Sequence, residues 1–124
     1  MELEAVQAWL NAYLEAWRGN EPEAIGALFS EDATYAYNPW DEPVRRREAI
    51  VVDWLKEPDE PDAWQAEYRP MLVEGRRAVV TGVTRYVDDG TYSNLFVIDF
   101  DDEGKCRAFT EWYMRHPEVT PGDG

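Results

Sequence analysis

Apolar positions at three- and four-residue spacing open the chain. Leu3, Val6, Trp9, Leu10, Tyr13, Leu14 and Trp17 share one face of a helix expected from Glu2 to Arg18, and Gly19-Asn20 supplies its stop. Asn20, with Glu23 three residues on, reads as the capping box of a second helix that runs through Phe29 and buries Ala24, Ile25, Leu28 and Phe29. A short strand is expected from about Thr34 to Asn38. A third helix should then run from about Arg45 to Lys56, with Ile50, Val51, Trp54 and Leu55 inward and Pro58 blocking its continuation. Four β-forming runs follow: "AWQAEYRPMLV", "RAVVTGVTRYV", "TYSNLFVIDF" and "KCRAFTEWYM", with "EG", "DDG" and "DDEG" as turns between them. Three helices, one early strand and a four-stranded meander predict an α+β domain whose sheet curls around the helices. The domain is expected over residues 1–116, with a flexible tail over residues 117–124.

Turn lengths give an expected register. A two-residue turn at Asp89-Gly90 sets Arg85 opposite Asn94, Val83 opposite Phe96 and Thr81 opposite Ile98. One face then carries Val79, Thr81, Val83 and Arg85 beside Asn94, Phe96, Ile98 and Phe100. A four-residue loop from Asp101 to Gly104 sets Glu111 opposite Asn94, with Tyr113 one step further out on the same face. Trp64, Ala66 and Tyr68 join that face if the preceding turns are even. The expected result is an apolar floor topped by Arg85, Asn94, Glu111 and tyrosines, with Arg85 pairing Glu111. Such a rim orients a ligand's polar group, or closes the end of the sheet as a structural ion pair.

Charge narrows the partners. The chain of 124 residues carries 12 basic and 26 acidic side chains, a formal charge of −14, which repels nucleic-acid phosphates and anionic membranes. Cys106 is the single cysteine, so no internal disulfide forms, and no apolar run approaches the roughly 20 residues that span a bilayer. A cytoplasmic location is the expectation.

The chemistry on offer is equally narrow. His116 is the single histidine, before Pro117, so neither a histidine metal site nor a Ser-His-Asp triad is supported. Phosphate-binding glycine loops are absent, and Arg45 to Arg47 read as a solvated helix turn. No metal and no cofactor is expected. What stands out is "YAYNPWDEP", where Tyr35, Tyr37, Asn38, Trp40 and Asp41 crowd a strand end. Six tryptophans against four phenylalanines favour an aromatic-lined cavity over a plain core.

The order of elements, with "EAIGALFSEDATYAYNPW" and "NLFVIDFDDEGKCRAFTEWYM", resembles the nuclear transport factor 2-like superfamily, and more narrowly its SnoaL-like branch. The resemblance covers about Leu3 to Met114. It implies a cone-shaped α+β barrel, helices closing one side, a cavity inside and often a dimer through the outer sheet face. The superfamily includes ketosteroid isomerases, polyketide cyclases and non-catalytic binders, so fold does not settle function. Tyr13 falls where the ketosteroid isomerases place an oxyanion-stabilising tyrosine. Asn38, before Pro39, stands where they have the general base, and Phe96 stands where they have a second acid. An amide takes up no proton near neutral pH, so that mechanism is not expected here. Polyketide cyclases use a buried cavity acid, for which Asp41, Asp53 and Glu111 are the candidates.

The leading expectation is a small-molecule-binding domain taking a hydrophobic or aromatic molecule with a polar group. Tyr13, Trp17, Tyr35, Tyr37, Asn38, Trp40, Trp54, Trp64, Tyr68, Arg85, Asn94, Phe96 and Tyr113 are the expected ligand contacts, with Trp40 as part of a lid. The alternative is a cyclase, isomerase or hydratase using Glu111 or Asp41 as acid or base. A third reading, a non-catalytic scaffold, would fill the cavity with its own rings. A homodimer is expected through the outer face carrying Glu67, Arg69, Thr84, Tyr86, Leu95, Val97 and Asp99.

Overall fold

The structure is a computed structural model and describes residues 1–117. Most of the expected tail lies outside the described residues. Helix α1 (Leu3–Gly19) buries Val6, Trp9, Leu10, Tyr13 and Ala16, the stripe its spacing dictates. Asn20 ends it in the left-handed conformation, φ 53°, with its N–H donating to the Ala16 carbonyl at 2.9 Å. A left-handed residue cannot also be an extended N-cap. The expected capping box is therefore absent, and helix α2 (Pro22–Gly26) starts on Glu21 with proline in its first turn. It is shorter than expected because Phe29 already belongs to strand β1 (Phe29–Ala36), where it pairs with Cys106.

A two-residue strand β2 (Val44–Arg45), not foreseen, pairs antiparallel with β1 and leads into helix α3 (Arg47–Trp54). Strands β3 (Trp64–Glu74), β4 (Arg77–Tyr86), β5 (Gly90–Phe100) and β6 (Cys106–Arg115) form the expected meander. The strand order is β2-β1-β6-β5-β4-β3, with β1 parallel to β6 and every other pair antiparallel. The curved sheet is not closed into a barrel: β2 and β3 remain as its two edges. No helix among the described residues is long and apolar enough to cross a membrane.

Two registers differ from expectation, with opposite consequences. The β4–β5 turn holds three residues, Val87 to Asp89, and Gly90 takes φ 131°, which glycine adopts at least cost. Asn94 therefore faces Gly82, not Arg85, a shift of three residues. An odd shift flips the strand. Ala78, Val80 and Thr84 are buried on the inner face, while Val79, Thr81, Val83 and Arg85 point outward. Between β5 and β6, Phe96 rather than Asn94 faces Glu111, a shift of two that leaves Asn94, Phe96, Glu111 and Tyr113 on one face.

The core lies between α1 and the inner face. Trp9 meets Phe29 and Phe100 edge-on, Tyr13 stacks on Phe109 at 5.8 Å, and Tyr35 stacks on the same ring at 4.4 Å. These contacts fill the end near the β5–β6 turn. Towards the other end the inner-face residues become polar.

Candidate functional site

Four polar side chains run in line across that inner face. Thr84 donates its hydroxyl hydrogen to Asn94 Oδ1 at 2.8 Å, and Asn94 Nδ2 donates to Glu111 Oε2 at 2.7 Å. Because the single threonine hydrogen is used on Asn94, the hydrogen bond between Tyr68 and Thr84 has Tyr68 as donor. The chain Tyr68–Thr84–Asn94–Glu111 crosses β3, β4, β5 and β6 and points every donor towards one carboxylate. With Oε2 taken by the amide, a proton on Glu111 sits on Oε1.

Burial pushes the Glu111 carboxyl up to about 7, and the bond from Asn94 holds it from rising further. The ion pair expected from Arg85 is absent, since Arg85 is exposed on the opposite face. Without that guanidinium, burial is the dominant influence on the carboxyl's pKa, and it raises it. Glu111 is poised to hold or release a proton near neutrality.

A second polar pair faces it. Tyr13 on α1 and Tyr35 on β1 join hydroxyls at 2.8 Å. One hydrogen lies between them, and the other belongs to the accepting tyrosine, free to be offered to a ligand. Burial, with Glu111 among the further causes, keeps Tyr13, Tyr35, Tyr37, Tyr68 and Tyr86 above the ordinary phenol range. All five are neutral donors at pH 7.

Between these groups lies a recess of about 440 Å³. Tyr13, Trp17, Tyr35, Tyr37, Trp54, Tyr68, Asn94 and Phe96, all expected to share one site, border it together with Glu111. A side recess of about 280 Å³ shares Tyr37, Asn94 and Glu111 and is bordered by Tyr113. Glu111 thus stands where the two meet. The loop after α3 bounds the mouth, pinned where Trp17 Nε1 donates to Asp59 Oδ2 at 3.0 Å and Asn20 Nδ2 donates to the Asp59 carbonyl at 3.1 Å.

Five expected site residues lie elsewhere. Trp40 is 80% exposed and covers nothing, so it is no lid. Asp41 is exposed in the turn after β1, away from the recess. Asn38 does not reach the recess, although its Oδ1 is buried without a partner. Trp64 is buried behind Trp17, the two rings stacked at 3.5 Å, and Arg85 lies on the outer face. Conversely, Thr84 and Tyr86 were expected on the dimer face and border the recess instead. Asp53 borders it too, accepting the Tyr37 hydroxyl at 2.6 Å. The misplaced β4 residues follow from the turn length alone. Asp53, one of the three candidate acids, adjoins Trp54 in the chain.

Helices laid on an open mixed sheet, with an aromatic recess between them, define a class of cavity-bearing α+β domains. Within it, the chain belongs to the SnoaL-like domain family, which it matches over residues 10–123. Solved structures agree in fold. An NTF-2 like protein of unknown function from Burkholderia xenovorans LB400 superposes with a TM-score of 0.73 at 20% identity, over 96% of this chain and 89% of that one. A protein from Kribbella flavida DSM 17836 described as a "putative ketosteroid isomerase" gives 0.73 at 22% identity, over 97% and 85%. A protein from Sphaerobacter thermophilus gives 0.68 at 19% identity, over 87% and 94%. No curated protein matches the chain.

Proposed function

We propose that the chain binds a small, flat, largely apolar molecule in the 440 Å³ recess and moves a proton on it, with Glu111 as the acid–base group. The observation that carries this reading is the Glu111 carboxyl, held by the Asn94 amide at 2.7 Å on the border of an aromatic recess, where burial pushes its pKa up to about 7. A general base works best when its pKa lies near the working pH. Glu111 takes the proton, and the Tyr13–Tyr35 pair offers a hydrogen bond to the ligand oxygen on which charge develops. With Asn38 and Phe96 at the positions of the two ketosteroid isomerase acids, Glu111 is the base and the tyrosine pair is the donor. A ring ketone reports the step directly. With 2-tetralone in D2O, the protein should accelerate exchange of the α-hydrogens, followed by NMR. Glu111→Gln should slow that exchange by about 100-fold or more, as loss of a positioned base does. Asp41→Asn should leave it unchanged. Exchange as fast in Glu111→Gln as in the parent would exclude the role given to Glu111.

The outer face supports a second copy as partner. A shallow groove of about 680 Å³ there is bordered by Val83, Leu95, Trp112 and Met114, with Glu67, Arg69 and Arg85 around it. Trp112 is 43% exposed and Met114 73%. Apolar centre and rim charges of both signs fit an isologous contact. Light scattering should give twice the 14.4 kDa chain mass, and Trp112→Asp should halve it. A parent protein that is monomeric at all concentrations excludes the dimer.

A further inference from the structure

The recess has an asymmetry of charge that its aromatic walls amplify. The carboxylates of Asp53, Glu57, Asp59 and Glu111 border it, and Lys56 is the one cationic side chain that does so among the described residues. Lys56 is itself exposed and turned to Asp53, at 3.6 Å. Such an exposed pair within one helical turn is worth little. The mouth is therefore negative, and the acid at its base adds to this whenever it is ionised. The whole chain reinforces the sign, since a formal charge of −14 focuses cations into a cleft and turns anions away.

The walls point the same way. Trp17, Tyr37, Trp54 and Tyr86 border the recess and keep part of their ring surface accessible. Ring faces carry negative quadrupole charge and attract a cation within about 6 Å. One such contact is already built next door, where the Arg18 guanidinium sits 5.2 Å from the centre of the Trp64 ring. That ring stacks on Trp17, which borders the recess. Nor does a bound cation disturb the interior. The Tyr13–Tyr35, Tyr68–Thr84–Asn94 and Asn94–Glu111 bonds use none of Asp53, Glu57 and Asp59, so a cation held at the mouth leaves them in place.

We infer that the ligand is an organic cation, an amine or ammonium group carried on a ring skeleton, with its charge between the carboxylates at the mouth and the ring faces. This rests on the recess being the binding site, and it excludes acids and phosphorylated compounds from that site.

Three molecules of one skeleton test it: 2-aminotetralin, 2-tetralol and 1,2,3,4-tetrahydro-2-naphthoate, titrated calorimetrically at pH 7. The amine should bind at least tenfold more tightly than the alcohol, and the carboxylate at least tenfold more weakly. The amine-to-alcohol ratio should shrink severalfold between about 20 mM and 500 mM salt, as screening requires. It should shrink likewise in Glu57→Gln/Asp59→Asn, in which the amide introduced at position 59 still offers an oxygen to Trp17. Binding in which the carboxylate or alcohol is tightest overturns the ligand class and leaves the recess as a binding site. Absence of binding by all three, at concentrations where 2-tetralone is exchanged, also overturns the class. Absence of both binding and exchange overturns the recess as a site altogether.

Discussion

Glu111→Gln should make the protein more stable at pH 8 while changing it little at pH 5. The sign follows from where the proton is held. An unfolded glutamate loses its proton near 4.5, whereas folded Glu111 keeps it to about 7. Between those values the unfolded state binds fewer protons, so stability falls as pH rises. The group's contribution is fully present below pH 4.5 and is lost as pH passes through 7. Integrated over that window, the loss is on the order of 2–3 kcal/mol. Glutamine has the same shape, still accepts from Asn94 Nδ2 and never ionises, so it escapes this loss. In thermal unfolding at pH 8 the variant should melt roughly 5–10 °C above its parent. The tyrosines around Glu111 titrate too high to contribute in this window. A gap between variant and parent that does not widen from pH 5 to pH 8 would show that the carboxyl is ordinary, and the acid–base reading would fall with it.

Gly82→Ala should be among the most damaging single-methyl additions the chain can suffer. Gly82 lies opposite Tyr68 on one side and Asn94 on the other. A Cβ there would press on the Glu67 carbonyl oxygen and Tyr68 Cδ1, and would lie 2.9 Å from Tyr68 Cα. Two of those atoms are backbone and cannot swing aside. The bare glycine lets the Tyr68 ring lie across β4, so that its hydroxyl reaches Thr84 one step along the same face. Overpacking against a fixed strand should cost about 3 kcal/mol or more. Gly26→Ala is the control, because its Cβ would meet nothing nearer than 3.7 Å. That change, at the end of α2, should be neutral or stabilising by about 0.5 kcal/mol. Urea unfolding midpoints for both variants decide it, and equal midpoints would mean that Gly82 merely fills a place.

Much of this was legible beforehand. The stripe of α1 and the alternation of β3, β5 and β6 required a core-facing side, and its central residues were assigned correctly, while Leu3 at the start of α1 is exposed. Glu111, Asn94 and Tyr113 stayed on the expected face although the register differed, because a shift of two residues keeps parity. Strand β4 was misassigned by one face because its turn has three residues where two were expected. Both of its faces read as half apolar, Val79, Thr81 and Val83 against Ala78, Val80 and Thr84. Pattern alone could not choose between them. Physical cost could have chosen: the expected face buries the Arg85 charge, and the observed one buries only the Thr84 hydroxyl, which finds two partners.

The chain by itself determined the α+β class, the one-sided helices and the concentration of rings and acids. Those properties follow from local spacing and composition, which each residue carries wherever it is placed. Tertiary structure decided which acid matters. Asp41, Asp53 and Glu111 are alike as letters. Only the folded sheet buries Glu111 among tyrosines, turns Arg85 away from it and sets the Asn94 amide on one of its oxygens. A carboxyl's proton affinity is set by desolvation and by its neighbours, and both come from strands far apart in sequence.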